Sequence, residues 1–350
     1  MIFAGFTHQP AVQLAEALLP LLPGSMAKVF YSDNGSTSTE VAVKMAIQYW
    51  WNKGEGKRNK LLAFNNSYHG DTFGAMSVSD RSIFTLAFAK KLFEVVFIDP
   101  PTPDNIPELL HTIEAHAEGL AAFIYEPLVQ GAGGMKMYSA DAMNDLLAFV
   151  QQQGILCIAD EVMTGFGRTG RLFASAYIQS KPDIICLSKG LTGGTMALGV
   201  TACAEKIYSA FVSSDPLKTF FHGHSFTANP LACTAALTSL QLLLQANCQQ
   251  RIEAITEKNK QLYERLQAYR GIKNIRCLGT ILAFEIVQGN DGYLNNLGAT
   301  ITALALAKGV YLRPLGNTVY IMPPYCITDR EFDAISEVLL AILEEVLPAI

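Results

Sequence analysis

Three short apolar runs in this 350-residue chain each end in a residue able to do chemistry. Leu120-Ala-Ala-Phe-Ile-Tyr125 runs into Glu126, Gly154-Ile-Leu-Cys-Ile-Ala159 into Asp160-Glu161, and Pro182-Asp-Ile-Ile-Cys-Leu187 into Ser188-Lys189-Gly190. A lysine delivered by the end of a buried strand is expected in a dry place, where its charged form is disfavoured and its amine becomes a nucleophile. From that segment alone, a solvated loop lysine is the alternative. A fourth stretch, Ser32-Asp33-Asn34-Gly35-Ser36-Thr37-Ser38-Thr39-Glu40, follows the apolar Val29-Phe30-Tyr31. Thr37-x-x-Glu40 fits a capping box, which predicts a helix over Val41–Trp51. Small residues at a helix N-terminus expose backbone N–H groups, and the helix dipole favours an anion there. An ordinary capped helix is the plainer reading. No Walker lysine follows Gly35, so a phosphate monoester suits the loop better than a nucleoside triphosphate.

An anion cradle, a strand-end carboxylate and a strand-end amine are the parts that hold pyridoxal phosphate. Lys189 would form the Schiff base. Asp160 would pair with the ring nitrogen, so that the ring can accept electrons. An aromatic must also stack on that ring, and Tyr68 in Asn66-Ser67-Tyr68-His69-Gly70-Asp71 is a natural choice. Spacing alone does not select it over the other tyrosines.

The elements must bring these groups together. Runs apolar on both faces mark parallel strands covered by helices. Between the first two runs lies a predicted helix, Ala140–Gln153, with Ser139 as N-cap and Gly154 as stop. The resulting βαβ pattern points the carboxyl ends of the strands to one edge, where ligands of α/β sheets bind. Glu126, Asp160 and Lys189 are therefore expected around one pocket. Gly165-Phe-Gly167-Arg168-Thr-Gly170 matches the letters of a dinucleotide fingerprint. No strand runs directly into it and no helix is expected after it, so a nicotinamide cofactor is not the reading adopted. Further on, helices are predicted near Asn229–Gln245 and Glu253–Tyr269. Short strands follow at Ile275–Leu278, Ile281–Ile286, Val310–Arg313 and Val319–Met322, interleaved with helices near Gly298–Ala307 and Asp329–Val346. This reads as an α/β domain over residues 1–245 followed by a smaller α+β domain over 246–350.

Composition narrows the classes. Half the residues are apolar and 16% are charged, which suits a compact enzyme. A net charge of −5, with no basic cluster beyond Lys57-Arg58-Asn59-Lys60, argues against nucleic acid. Seven cysteines without a C-x-x-C pair fit a reducing cytosol. No apolar stretch approaches the ~20 residues that span a bilayer, and the first residues do not read as a signal peptide. A cytoplasmic protein that binds no membrane is expected. His222-x-His224 invites a metal, but the remaining histidines are scattered and no HExxH helix exists, so no metal is assigned.

Several of these motifs occur together in an order that resembles the class III, fold-type I pyridoxal-phosphate aminotransferases. They are Ser67-Tyr68-His69-Gly70, Asp160-Glu161-Val162 with Thr164–Gly170, and Ser188-Lys189-Gly190 with Gly193-Gly194. Glu126–Gly134, Val310–Pro314 and Tyr320–Pro324 extend the match over nearly the whole chain. The resemblance implies a large domain with a mostly parallel sheet, a smaller C-terminal domain, and amino-group transfer. Lys189 would carry the cofactor and shuttle a proton, and Asp160 would salt-bridge the ring nitrogen. Val162 and Tyr68 would cover opposite ring faces, while Gly35 and Ser36 bind the phosphate. His224 and Ser225 would reach the phosphate of a neighbouring subunit's cofactor, which implies a homodimer with shared sites. Gly223 would line the substrate site, and Arg313 would clamp a substrate carboxylate with its bidentate guanidinium. Arg168 would either contact substrate or brace its loop, and Glu126 would either support the site or take part in it. The resemblance also implies an N-terminal segment, contributing aromatics to the acceptor pocket, that would precede the phosphate loop and is missing here. A shortened start, or a cofactor-binding homologue without activity, is the expectation that follows.

Overall fold

The computed structural model describes residues 5–287 and 296–347. It divides into two compact units: Met1–Gly133 with Tyr138–Phe166 and Phe173–Leu242, and Gly134–Met137 with Gly167–Leu172 and Leu243–Ile350. The division is not one cut in the chain, because two earlier pieces join the second unit. Arg276 donates to the carbonyls of Gly134 and Met135, and Thr280 N–H donates to Arg168 O at 2.9 Å, which ties both pieces in.

The first unit is built on seven strands: β1 (Met26–Ser32), β2 (Lys60–Phe64), β3 (Val95–Ile98), β4 (Leu120–Tyr125), β5 (Leu156–Asp160), β6 (Ile184–Leu187) and β7 (Gly199–Ala204). Their order across the sheet is β1-β7-β6-β5-β4-β2-β3. The pairs from β6 through β5, β4 and β2 to β3 are all parallel. β7 is antiparallel to both β6 and β1, so β1 runs in the same direction as the parallel group. Every residue of β4 and β5 is buried, as expected for strands covered on both faces. Ser139 caps the helix Ala140–Gln152, and Gly154 follows it at φ 72°, as the sequence predicts.

The helix Gly35–Asn52 lays Val41, Ala42, Met45, Ala46 and Tyr49 against a core that includes Leu61, Ala122, Ile158 and Ile184. Each large apolar side chain buried in this way is worth about 1.5–3 kcal/mol. The helix starts earlier than predicted. Asn34, not Thr37, is the cap: its side chain accepts from Thr37 N–H at 3.0 Å, and Thr37 Oγ1 accepts from Asn34 N–H at 2.9 Å. That reciprocal pair satisfies the first-turn donors three residues sooner and leaves Glu40 for other work.

The second unit holds an antiparallel sheet of β8 (Ile272–Leu278), β9 (Ile281–Ile286) and β10 (Thr318–Ile321). The helices Ala246–Leu266, Leu297–Ala307 and Asp329–Val346 cover it. The predicted strand over Val310–Arg313 is not one. Its segment joins no ladder among the described residues: Val310 N–H returns to Ala305 O near the end of the preceding helix, and Leu312 O accepts from Thr302 Oγ1 in the middle of that helix. Helix Pro230–Leu243, predicted over Asn229–Gln245, falls largely in the first unit. No single helix among the described residues is long and apolar enough to cross a membrane.

Candidate active site

The strand directions put the carboxyl ends of β1, β2, β4, β5 and β6 on one edge of the sheet. β7 leaves from that same edge, with Gly199 paired to Ser32 and Val200 to Leu187. The loops bearing Gly35, Tyr68, Glu126, Asp160 and Lys189 therefore share an edge. A Cβ added to Gly35 would lie 2.7 Å from Val162 Cγ1 and 3.6 Å from Ser188 Cβ, which puts the helix start, the post-β5 loop and the residue before Lys189 side by side. A Cβ on Gly70 would lie 2.2 Å from Ser36 Oγ, and Asp71 N–H donates to that hydroxyl at 3.1 Å. Glu40 accepts from Thr72 Oγ1 at 2.6 Å and Ala75 N–H at 3.1 Å, which locks the Tyr68 loop to the helix.

Asp160 is 4% exposed. One of its oxygens accepts from Val162 N–H at 3.0 Å, and the other meets His69 Nδ1 at 2.7 Å. With Asp160 ionised, His69 carries its proton on Nδ1. His69 Nε2 is then a buried acceptor without a hydrogen-bond partner among the described residues. His69 is a site residue that residue-type reasoning passed over, although it stood in the quoted Tyr68-His69-Gly70. A histidine directly after the tyrosine expected to stack was the available signal.

Two buried carboxylates organise the surroundings. Glu126 accepts from Tyr68 N–H at 3.1 Å and from Gly131 N–H at 2.9 Å. Burial raises its pKa to about 7; Asp160 pushes the same way, while His69 and the two N–H groups pull it back. Glu161 is also raised by burial, and it accepts from Ser175 N–H, Thr164 Oγ1 and Ala174 N–H. It shapes the loop that the fingerprint match occupies. That loop opens no α-helix, and Gly167 and Gly170 are needed for its turns at φ 97° and 89°.

The remaining predicted residues are placed less uniformly. Lys189 follows β6 at φ 43°, but its side chain is exposed, so the expected dry setting ends at Ser188. The strand is buried up to that serine, and the lysine begins a turn of 3-10 helix beyond it. His224 Nδ1 lies 2.7 Å from Asp33 Oδ2, one residue before the Asn34 cap of its own chain. His222 Nε2 faces His224 Nε2 at 2.9 Å, and Lys44 Nζ lies 2.8 Å from His222 Nδ1. Burial lowers the His222 pKa, with Lys44 and His224 acting in the same direction. Among the described residues no cluster of three or more His, Cys, Asp or Glu side chains could hold a metal. Gly223 and Ser225 are exposed. In the second unit Arg313 is exposed, while Arg168 donates to Pro323 O at 2.7 Å and stacks over the Tyr325 ring, so its guanidinium braces its own loop.

Residues 1–343 match the family Aminotransferase class-III. The chain belongs to the class III aminotransferases. It is 46% identical to the adenosylmethionine-8-amino-7-oxononanoate aminotransferase of Synechococcus elongatus, over 99% of this chain and 83% of that one. The crystal structure of the enzyme of that name from Methanocaldococcus jannaschii has a TM-score of 0.92 at 32% identity, covering 97% of this chain and 81% of the other. A PLP-bound amine transaminase from an uncultivated Pseudomonas species reaches 0.90 at 30% identity, covering 98% and 83%. This class III aminotransferase is a pyridoxal-phosphate enzyme with the fold type I architecture. Its residues fit the cofactor. Two glycines leave room beside Ser36 and Val162 that a Cβ would fill, a buried carboxylate stands on the same edge, and the chain reaches Lys189 one residue past that packing.

Proposed function

We propose that this class III aminotransferase acts in biotin biosynthesis, moving an amino group from S-adenosylmethionine to 7-keto-8-aminopelargonate (8-amino-7-oxononanoate) to give 7,8-diaminopelargonate. The observation that carries this reading is the 46% identity over 99% of the chain to a relative of that name. The bound pyridoxal ring supplies an electron sink for the pair released when the amine-bearing carbon loses its proton.

The chain's residues take the following parts. Lys189 would anchor the cofactor through its amine and would hold and return the proton at Nζ. Asp160 keeps the ring nitrogen protonated, supported by the His69 contact at 2.7 Å. Gly35 N–H and the Ser36 hydroxyl bind phosphate at the N-terminus of the Gly35–Asn52 helix, where the dipole aids them. Tyr68 and Val162 hold the ring between them. His224 and Ser225 complete the phosphate site of a second subunit, so the active form is a homodimer. Gly223 lines the substrate site, and Arg313 is assigned the acceptor's carboxylate from its motif. The cofactor domain corresponds to the first unit. A cytoplasmic location is supported by seven free cysteines.

The test is direct. The purified protein should show a visible band that borohydride fixes onto Lys189, and should convert 8-amino-7-oxononanoate when given S-adenosylmethionine. A colourless protein that takes up no pyridoxal phosphate would sink the cofactor reading. The likeness to an amine transaminase at TM-score 0.90 supports a second reading, transfer from another ω-amine or diamine. A donor panel including lysine, ornithine and 4-aminobutyrate separates the two, and activity only with those amines would replace the first reading. Cofactor uptake with no half-reaction toward any amine would instead mark a non-catalytic homologue.

A further inference from the structure

Glu126 is a buried, titratable group that the proposed chemistry does not use, and its contacts are specific. It is 5% exposed and lies immediately past β4. Both of its oxygens are spent on backbone N–H groups, one on Tyr68 and one on Gly131. The Tyr68 segment is tied at successive amides. Asn66 N–H donates to Asp80 Oδ2, Ser67 N–H to Phe64 O, Tyr68 N–H to Glu126 Oε1 and His69 N–H to Ser79 Oγ. Of these four acceptors, only Glu126 comes from a different strand end. Its loop and the Tyr68 loop follow neighbouring parallel strands, β4 and β2. They are stitched again by Gln130 Nε2 donating to Asn65 O at 2.8 Å. At Gly133 a Cβ would lie 2.2 Å from Asn66 O, so the two backbones are in direct contact. Glu126 is held in turn by Tyr138, whose hydroxyl donates to its carbonyl.

We propose that Glu126 is a positioning residue, whose carboxylate fixes the backbone at Tyr68 and thereby sets the ring that stacks on the cofactor. The inference rests on the reading of Tyr68 as that stacking residue. Only an ionised carboxylate has acceptor capacity for both N–H groups without a competing donor. Glutamine keeps the length, but turns an NH2 group toward one of the two. Aspartate keeps the charge but is one methylene shorter, so its oxygens fall short. A role through charge would survive in aspartate and fail in glutamine, whereas a role through placement fails in both.

The experiment compares wild type, Glu126→Gln, Glu126→Asp, Tyr68→Leu and the Glu126→Gln/Tyr68→Leu double variant. Two quantities are read: the dissociation constant of pyridoxal phosphate, and the circular dichroism of its visible band, which reports the orientation of the bound ring. Glu126→Gln and Glu126→Asp should each weaken cofactor binding by about tenfold, the scale of one lost hydrogen bond, and reduce the dichroism. In the Tyr68→Leu background the Glu126→Gln change should add nothing further, because neighbours acting through one contact are not additive. Losses that multiply in the double variant overturn the proposal, as does wild-type dichroism in Glu126→Asp. Melting of the cofactor-free proteins identifies a variant that has lost its fold, and the aspartate variant carries the test if glutamine fails in that way. Wild-type protein that binds no cofactor would instead overturn the reading of the site.

Discussion

Lys189 follows a fully buried strand and is itself exposed at the start of a turn whose Leu191 and Thr192 are buried, so its proposed reactivity would depend on what its neighbours present to a bound ring more than on burial of the lysine. Lys189→Ala should lower turnover by about 10²–10⁴-fold, the range that a positioned acid–base group supplies, and should abolish borohydride-fixed absorbance. Turnover within tenfold of wild type would remove Lys189 from the chemistry. Glu126 makes a prediction about stability. Its folded pKa of about 7 stands above the ordinary 4.5, so ionising it is harder in the fold than in the unfolded chain. The stability linked to its protonation is full below pH 4.5 and is lost as the pH rises through 7. Glu126→Gln cannot titrate. The melting temperature of the cofactor-free glutamine variant, relative to wild type, should therefore climb between those two pH values. A constant difference would contradict a raised carboxyl. These residue types were legible from the sequence because each follows an apolar run within a single step. The contacts of Asp160 with His69 and of Glu126 with Tyr68 were not, since those partners lie 91 and 58 positions away.

At the scale of elements, the proposed phosphate cradle depends on where one helix begins. The Thr37-x-x-Glu40 pattern placed that start at Val41, whereas the Asn34 cap brings it to Gly35. The earlier start matters chemically, because Gly35 and Ser36 then occupy the first turn, whose N–H groups lack intrahelical partners. Asn34→Ala should cost about 1 kcal/mol, read as a lower melting temperature, and should weaken cofactor binding as the first turn frays. Unchanged affinity would separate the cap from the cradle. Gly70→Ala should be more severe. Its φ of 127° disfavours any side chain, and the new Cβ would meet Ser36 Oγ at 2.2 Å. Loss of cofactor uptake is expected, and normal uptake would show that the Tyr68 and Ser36 loops can separate. A capping box can be matched at more than one register in a run such as Asn34-Gly-Ser-Thr-Ser-Thr-Glu40. Which register wins depends on Glu40 being drawn to Thr72 and Ala75, a choice made by packing.

For the whole molecule, the prediction tests the proposal that two subunits share their sites. Lys189→Ala disables a subunit's own site, whereas Ser225→Ala would weaken its partner's. In a hybrid of the two variants one site carries both defects and the other carries neither. Random mixing makes half of the dimers hybrid, so mixing two poorly active proteins should recover about a quarter of wild-type activity, as expected for an isologous pair. No recovery would argue that Ser225 serves its own chain. Burial pushes the thiols of Cys157 and Cys186 well above their ordinary range. Exposed Cys326 should accordingly be the first to be alkylated in the native protein.

The linear pattern of residues was enough to establish the parallel strands, the groups at their carboxyl ends and the helix that joins β4 to β5. Each of those depends on side chains within a few residues of one another. The tertiary structure alone decided that β7 enters the sheet antiparallel between β1 and β6, and so brings the Gly35 loop to the Lys189 edge. It also decided that Val310–Arg313 pairs with no strand among the described residues, that His69 meets Asp160, and that Glu126 accepts from Tyr68 N–H. The physical reason is the same in each case. These contacts join segments far apart in the chain, and their geometry follows from strand order and register, which no local window of sequence encodes.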